Sequence, residues 1–370
     1  MDLKNPTKND IEKLLASLKN AIDYWVCTMS PEGQRLNTSN QASSTTTRIQ
    51  ESHLSLPLEE LIKLTSLVHA RATKLGIVFK PPIIEENYHA CYVELNEGVR
   101  NLILLVSLSK QLTVEEQKYS KLLVRDLLRS IKVLLTSYSG LLGELEQTLG
   151  VGGDNTSDES YRLVSVGKIW EACGGIQDNV HQGSSGLLKR RLKQTNQLIA
   201  DALNEYEDWL ANPVVENFDE GFGEVEDDED DEEQDTEAEG KSPSETPGLE
   251  SDAEVEVDSD LVALGKQWGS KIKMVRLLVS SLDKSIPSSK YTISFSKSID
   301  LLDARMPKLS EAVDDVVASV IYDQDLDGAK EAGKTLIDGA MEVASLVKKM
   351  NMHSQTRIRW IDTWTKKFIE

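Results

Sequence analysis

The feature that most constrains this chain is a long acidic segment in its second half. Between Glu216 and Asp260 there are 22 acidic residues and one basic residue, Lys241. Charge of this density without a periodic apolar face is typical of a chain that cannot collapse around a core. We therefore expect a disordered linker over residues 213–260. Removing the segment from the totals of 62 acidic and 41 basic residues leaves 40 of each, so the rest of the chain has no basic excess to attract nucleic acid.

The two parts that flank this segment have helical periodicity. Apolar residues recur every three or four positions, as between Ile11 and Val26 and between Leu261 and Leu282. Patterns typical of strands are scarce. The sequence therefore predicts an all-α protein in which the acidic linker joins two helical bundles, 1–212 and 261–370, with a polar loop over 32–55.

Local signals predict three helix boundaries. Thr113 followed by Glu116 is a capping-box pattern, which predicts that a long helix begins there and runs to about residue 149. A boundary is also expected between Val180 and Ser185. Pro307 is expected to break the helix that surrounds it, because proline removes a backbone donor.

Four leucines in the long helix repeat every seven residues. We favour a central bundle helix, with homodimerisation through a zipper as the alternative. They are Leu128, Leu135, Leu142 and Leu149. The sequence leaves the oligomeric state open.

One stretch matches a nucleotide-binding pattern. Gly328–Thr335 fits the Walker A sequence, in which glycines cradle phosphates, Lys334 would reach the phosphates and Thr335 would hold magnesium. A true P-loop follows a strand directly, whereas here five residues, 323–327, four of them polar, precede the glycine. A P-loop nucleotide hydrolase is therefore the less favoured alternative.

Other catalytic and metal-binding patterns are weak. The five histidines are scattered, and the three cysteines lie far apart. Asp323, Asp325 and Asp327 resemble the start of an EF-hand loop, but the twelfth position is Lys334 instead of glutamate. The sequence predicts neither an enzyme nor a cofactor or metal. No apolar run approaches the roughly 20 residues that a membrane span requires, so no membrane partner is expected.

The acidic segment contains candidate phosphorylation sites. Ser242 and Thr246 each precede a proline, and Thr236 and Ser251 each have a glutamate three residues later. Kinases that recognise proline or acidic residues prefer these settings, and phosphorylation would add negative charge. A short basic cluster, Lys189–Lys193, is interpreted as the solvated face of a helix, with a nuclear-import signal as the alternative.

Three stretches resemble the cyclin-D-binding protein family, also called GCIP. The first is Ala72–Phe79, followed by Pro81. The second is Lys168–Cys173, which includes Trp170, Ala172 and Cys173 of a family signature. The third begins at Asp314 and Asp315 and ends at Tyr322, although the proline that follows the tyrosine in the family is Asp323 here.

The resemblance implies an all-helical, non-enzymatic regulator. Its implied partner is a D-type cyclin or a transcription regulator, and its implied role is to restrain cell-cycle progression and associated transcription in the cytoplasm and nucleus. The six signature residues are expected to be structural. A helical scaffold of the adhesion-bundle type is the alternative reading of the same helices.

Overall fold

The computed structural model describes residues 5–29, 49–150, 160–213, 258–287 and 291–370. All regular secondary structure in these ranges is α-helical, which confirms the predicted fold class. Residues 214–257 of the predicted linker and residues 32–48 of the predicted polar loop lie outside the described residues. The ten helices of the described ranges are α1 (Lys8–Thr28), α2 (Pro57–Val78), α3 (Glu85–Val114), α4 (Glu116–Tyr119), α5 (Lys121–Gly150), α6 (Ser160–Ala211), α7 (Ser259–Ser285), α8 (Ile293–Ile321), α9 (Leu326–Met350) and α10 (Gln355–Ile369).

The chain divides into two compact units. Unit 1 combines residues 1–192 with 282–304, and unit 2 combines 193–281 with 305–370. The limits of the units fall inside α6, α7 and α8. Each unit therefore contains residues from both sides of the acidic segment.

The bundles predicted at 1–212 and 261–370 follow the composition of the chain, and their limits differ from those of the units. Packing explains the difference, because α8 begins against the N-terminal half of the chain. The Ser296 hydroxyl donates to the carbonyl oxygen of Lys118 at 2.7 Å, although 178 residues separate them.

Unit 1 is built around α5. Helix α1 packs on α3 and α5, and α2 packs on α3. The apolar face of α5 is broad, since Ile131, Leu134 and Leu141 are buried together with the heptad residues Leu135 and Leu142. A two-stranded zipper would bury a narrower stripe, so this face is that of a central bundle helix.

The capping-box prediction at Thr113 is wrong. Helix α3 continues through this residue to Val114, and the Thr113 hydroxyl donates to the carbonyl oxygen of Ser109 at 3.0 Å. A threonine inside a helix can form this bond to the preceding turn, so the sequence pattern does not distinguish a helix start from a helix interior.

The long helix α5 instead begins after Ser120, where the backbone turns with φ 79°. The Ser120 hydroxyl accepts a hydrogen bond from the backbone N–H of Leu123 at 3.2 Å. The Asp300 carboxylate, on α8, accepts from the N–H groups of Lys121 and Leu122, both at 3.0 Å. Carboxylates stabilise helix N-termini, and this one comes from a residue far along the chain.

Two further boundaries have different outcomes. Helix α6 is interrupted at Gly183, with φ 58° and ψ −174°, a conformation that is essentially restricted to glycine. This confirms the boundary predicted between Val180 and Ser185. The predicted break at Pro307 is wrong, because α8 continues through it. Proline leaves one carbonyl, that of Asp303, without its helical donor, and a helix held by tertiary contacts tolerates that loss.

Unit 2 packs its helices closely through glycines. A Cβ atom built on Gly333 of α9 would lie 1.9 Å from Cζ2 of Trp268 on α7, so the tryptophan ring occupies the space of a side chain. The Tyr206 hydroxyl of α6 donates to the carbonyl oxygen of Gly265 on α7 at 3.0 Å. Helix α10 is attached to α7 by the Trp364 indole, which donates to the carbonyl oxygen of Met274 at 2.9 Å.

Candidate protein-interaction site

The signature residue Trp170 lies where α2 and the first half of α6 run side by side. The Trp170 indole N–H donates to the Thr73 hydroxyl at 3.1 Å, and the Gln177 amide donates to the Ser66 hydroxyl at 3.0 Å. Later residues of α6 therefore meet earlier residues of α2, which makes the two helices antiparallel. Both bonds lie on the exposed side of the pair.

Trp170 is held in place but remains 42% exposed. Its ring stacks on His69 of α2, with ring centroids 5.1 Å apart and an angle of 20° between the planes. The hydrogen bond to Thr73 satisfies the only polar group of the indole. The ring is thus positioned before any partner arrives, with an apolar face open to solvent.

Exposed apolar residues continue along both helices. Ile77 follows Thr73 by four residues and is 67% exposed, while Leu163 precedes Trp170 by seven residues and is 62% exposed. Spacings of four and seven place each residue on the same helix face as its neighbour. The apolar face therefore extends about two turns beyond the tryptophan.

Two glycines leave space on either side of Trp170. Gly167 and Gly174 lie about one turn before and after it, and a Cβ atom on either would meet no described atom within 4 Å. Glycine in a helix interior costs about 0.5–1 kcal/mol relative to alanine, and packing within the described residues gives no reason for it here. We call these residues the Trp170 surface: His69, Thr73, Ile77, Leu163, Gly167, Trp170 and Gly174.

The other two signature residues of this helix point inward. Ala172 and Cys173 are buried, as is Cys91 of α3. Burial raises the pKa of the Cys173 thiol to about 12 and that of Cys91 to about 11. Both thiols are therefore protonated at neutral pH, which suits packing and disfavours nucleophilic chemistry.

Charged residues beside this region are already paired. Arg71 of α2 binds Glu94 of α3 and lies 3.7 Å from Glu97, and Lys74 lies 3.8 Å from Glu94. These pairs connect α2 to α3. Apart from His69, the Trp170 surface contains no ionisable side chain.

The C-terminal signature residues belong to unit 2. Asp314 and Asp315 are exposed on α8, and the Tyr322 hydroxyl donates to the Glu205 carboxylate of α6. Burial, followed by the nearby charges of Asp315 and Glu205, raises the pKa of Asp314. The two signature motifs therefore lie in different units.

The Walker A pattern forms helix α9 instead of a loop. Lys334 pairs with Glu331 at 3.0 Å, and the Thr335 hydroxyl donates to the carbonyl oxygen of Glu331 at 3.3 Å. Of its glycines, Gly333 has a packing role against Trp268. The aspartates before it also have a structural role, since the Asp325 carboxylate accepts from the N–H of Asp327 at 3.0 Å and caps α9.

Four further points concern the basic cluster, the candidate phosphorylation sites, metal binding and membrane-spanning helices. In the basic cluster, Arg191 pairs with Asp126 at 2.8 Å and with Asp303 at 2.7 Å, so it contributes to the packing of unit 1. Thr236, Ser242, Thr246 and Ser251 lie outside the described residues. Within the described ranges, no three His, Cys, Asp or Glu side chains are grouped closely enough to hold a metal ion. No helix in those ranges combines the length and apolarity that crossing a membrane requires.

The sequence marks Trp170 and the stretch Ala72–Phe79 as resembling family signatures, but Trp170 was expected to be structural and the grouping of these residues on one surface was not predicted. His69, Thr73 and Ile77 are about 100 residues away in the chain, and their contribution depends on the pairing of α2 with α6. The two glycines three residues before and four residues after Trp170 are a local signal that the sequence does contain.

The chain is similar to a described protein family and to proteins of two yeasts. The profile of the family described as "Grap2 and cyclin-D-interacting, N-terminal" matches residues 60–212. An uncharacterized protein of Saccharomyces cerevisiae is 30% identical over 371 residues, covering 98% of this chain and 97% of the yeast protein. An uncharacterized protein of Schizosaccharomyces pombe is 24% identical over 275 residues, covering 73% of this chain and 72% of the relative. The Trp170 surface lies entirely within the range that the family profile matches.

Proposed function

Because the chain belongs to the family of Grap2 and cyclin-D-interacting proteins, we propose that it is a non-catalytic interaction module that binds a D-type cyclin through the Trp170 surface. The observation that supports this most strongly is the exposed, immobilised Trp170 within the family-matched range. By binding the cyclin, the protein restrains cell-cycle progression and associated transcription in the cytoplasm and nucleus.

A few residues contribute most of the binding energy of a protein interface. Tryptophan is enriched among the few residues that dominate affinity, and such residues lie near the centre of the contact. Trp170 is already fixed by His69 and Thr73, so binding loses little side-chain entropy. The space at Gly167 and Gly174 allows a partner helix to approach closely on both sides of the ring.

The direct test is the affinity of the purified chain for a D-type cyclin, measured by isothermal titration calorimetry. We expect Trp170→Ala to weaken binding at least about 30-fold, which corresponds to the roughly 2 kcal/mol of an interface hot spot. Trp170→Phe keeps an aromatic ring and loses the hydrogen bond to Thr73, so its effect should be intermediate.

The matched control is Leu277→Ala, because Leu277 is an exposed apolar residue on α7 in unit 2. Its affinity should equal that of the unaltered chain. Circular dichroism and urea unfolding confirm that each variant is folded. A folded Trp170→Ala protein with unchanged affinity would refute this binding site, and an unaltered chain that does not bind any D-type cyclin would refute the proposed partner.

A further inference from the structure

The C-terminal helix α10 has two chemically different faces. Ile361, Trp364 and Phe368 are buried, and Trp364 and Phe368 stack with ring centroids 4.6 Å apart. Lys271 of α7 donates to the carbonyl oxygen of Phe368, and Met274 accepts the Trp364 indole N–H. This face of the helix is therefore used for packing within unit 2.

The opposite face is basic. Residues 345–370 contain six lysines and arginines but only two acidic residues. One of these acids, Asp362, is paired with Lys348. Arg359 and Lys366 are seven residues apart and therefore lie on one side of the helix. Three exposed basic residues of α10 form no ion pair among the described residues, and we call them the α10 basic face: Arg359, Lys366 and Lys367.

Another part of unit 2 has the opposite charge. Asp314 and Asp315 of α8 lie near Glu205 of α6 and near Glu311, and all four are exposed acids. An acidic ligand is repelled by this part of the unit and attracted by the α10 basic face. The charge distribution thus favours the α10 basic face over this acidic part of unit 2 as the position for an acidic ligand.

The same chain contains such a ligand next to unit 2. Residues 214–257 comprise 20 acidic residues and a single lysine, Lys241. The segment follows Pro213 at the end of α6 and precedes Asp258 at the start of α7, and both ends belong to unit 2. Half of the segment can extend roughly 70 Å from its attachment point. That exceeds the length of α9, which is about 38 Å at 1.5 Å per residue, so reach does not limit contact.

We propose that the acidic segment 214–257 binds the α10 basic face of its own chain. Opposite charges supply the attraction, and the covalent connection provides an effective concentration of about millimolar order. The contact shields α10 from other acidic molecules, including nucleic acids. Phosphorylation of Ser242 or Thr246 adds about −1.5 to −2 charges per site and strengthens the contact. The proposal uses charges of unit 2 only, and it does not depend on cyclin binding.

A spin label within the segment tests this contact in the full chain. The label is attached to Ser244→Cys after the exposed Cys27 is changed to serine, because Cys91 and Cys173 are buried. At 50 mM NaCl, NMR signals of α10 backbone amides should fall to half or less of their intensity with the label reduced. At 0.5 M NaCl the signals should recover, because salt screens exposed charges.

Two double variants with the same change in net charge separate binding from general electrostatics. Arg359→Glu/Lys366→Glu should abolish the broadening of α10. Lys330→Glu/Lys334→Glu alters two exposed lysines elsewhere in unit 2, on α9, and should preserve the broadening. The proposal is overturned if α10 signals are unaffected at low salt, if both variants behave alike, or if the label broadens a different surface. Binding of an oligonucleotide to α10 without any broadening from the label would also overturn it.

Discussion

Gly167 and Gly174, which lie beside Trp170 on α6, differ from glycines of unit 2 in what surrounds them. At Gly167 and Gly174 a Cβ atom would meet no described atom within 4 Å. On α7 and α9 of unit 2 the corresponding space is occupied, since Gly269 faces Leu210 and Tyr206 and Gly333 faces the Trp268 ring. The same residue type is therefore required by packing in one region and is unexplained by packing in the other.

This difference separates the fold from the function. A glycine that accommodates a neighbouring ring contributes to stability, because a larger residue would displace the ring. A glycine that faces open space weakens the helix without compensation in the free protein. Residues at binding sites often reduce stability for the benefit of function, and the Trp170 surface fits that pattern.

The largest effect is expected at Gly333. Gly333→Ala places a Cβ atom 1.9 Å from the Trp268 ring, so the ring must move. We expect the free energy of unfolding to fall by about 1–3 kcal/mol, measured by urea denaturation. In a Trp268→Leu background the same change should cost less, because the obstructing ring is absent. An equal loss in both backgrounds would contradict the packing role of Gly333.

A smaller effect of opposite sign is expected at Gly174. Gly174→Ala adds a methyl group in open space on a helix, so the free energy of unfolding should rise by about 0.5–1 kcal/mol. Gly140→Ala on α5 is the matched control, since that position is also open, and it should give a similar increase. Destabilisation at Gly174 would mean that its surroundings are closed instead of open.

The smallest effect is expected at Gly269. A Cβ atom there would lie 3.3 Å from the Leu210 side chain, a distance that requires a shift of a few tenths of an ångström. This cost offsets the gain in helix propensity, so Gly269→Ala should change the free energy of unfolding by less than about 0.5 kcal/mol. Thermal unfolding followed by circular dichroism measures it, and a gain as large as that at Gly174 would remove the contrast between the two regions.

Periodicity predicted the helices well, but not every boundary. The spacing of apolar residues identifies α9 and α10 because each must bury one stripe, and the interruption at Gly183 falls at the boundary predicted between Val180 and Ser185. The start of α5 escapes prediction because its cap includes Asp300, a residue from the other side of the acidic segment. Pro307 misleads because tertiary contacts hold α8 together despite the lost hydrogen bond.

The candidate site was predictable only in part. Trp170 is visible in the sequence as a signature residue, but its exposure and its contacts with His69 and Thr73 depend on how α2 pairs with α6. The Walker A pattern shows the opposite case, in which a sequence match has a packing explanation. Gly333 is present because Trp268 occupies its side-chain space, a cause that no local pattern reveals.

In the proposed function, the space beside Trp170 accommodates the partner. The most direct measurement compares two quantities on one folded variant, Gly174→Ala: its free energy of unfolding and its affinity for a D-type cyclin. We predict that stability rises while affinity falls at least about tenfold, a loss of roughly 1.4 kcal/mol, whereas Gly140→Ala raises stability and leaves affinity unchanged. A Gly174→Ala protein that is more stable and binds the cyclin as tightly as the unaltered chain would contradict the account.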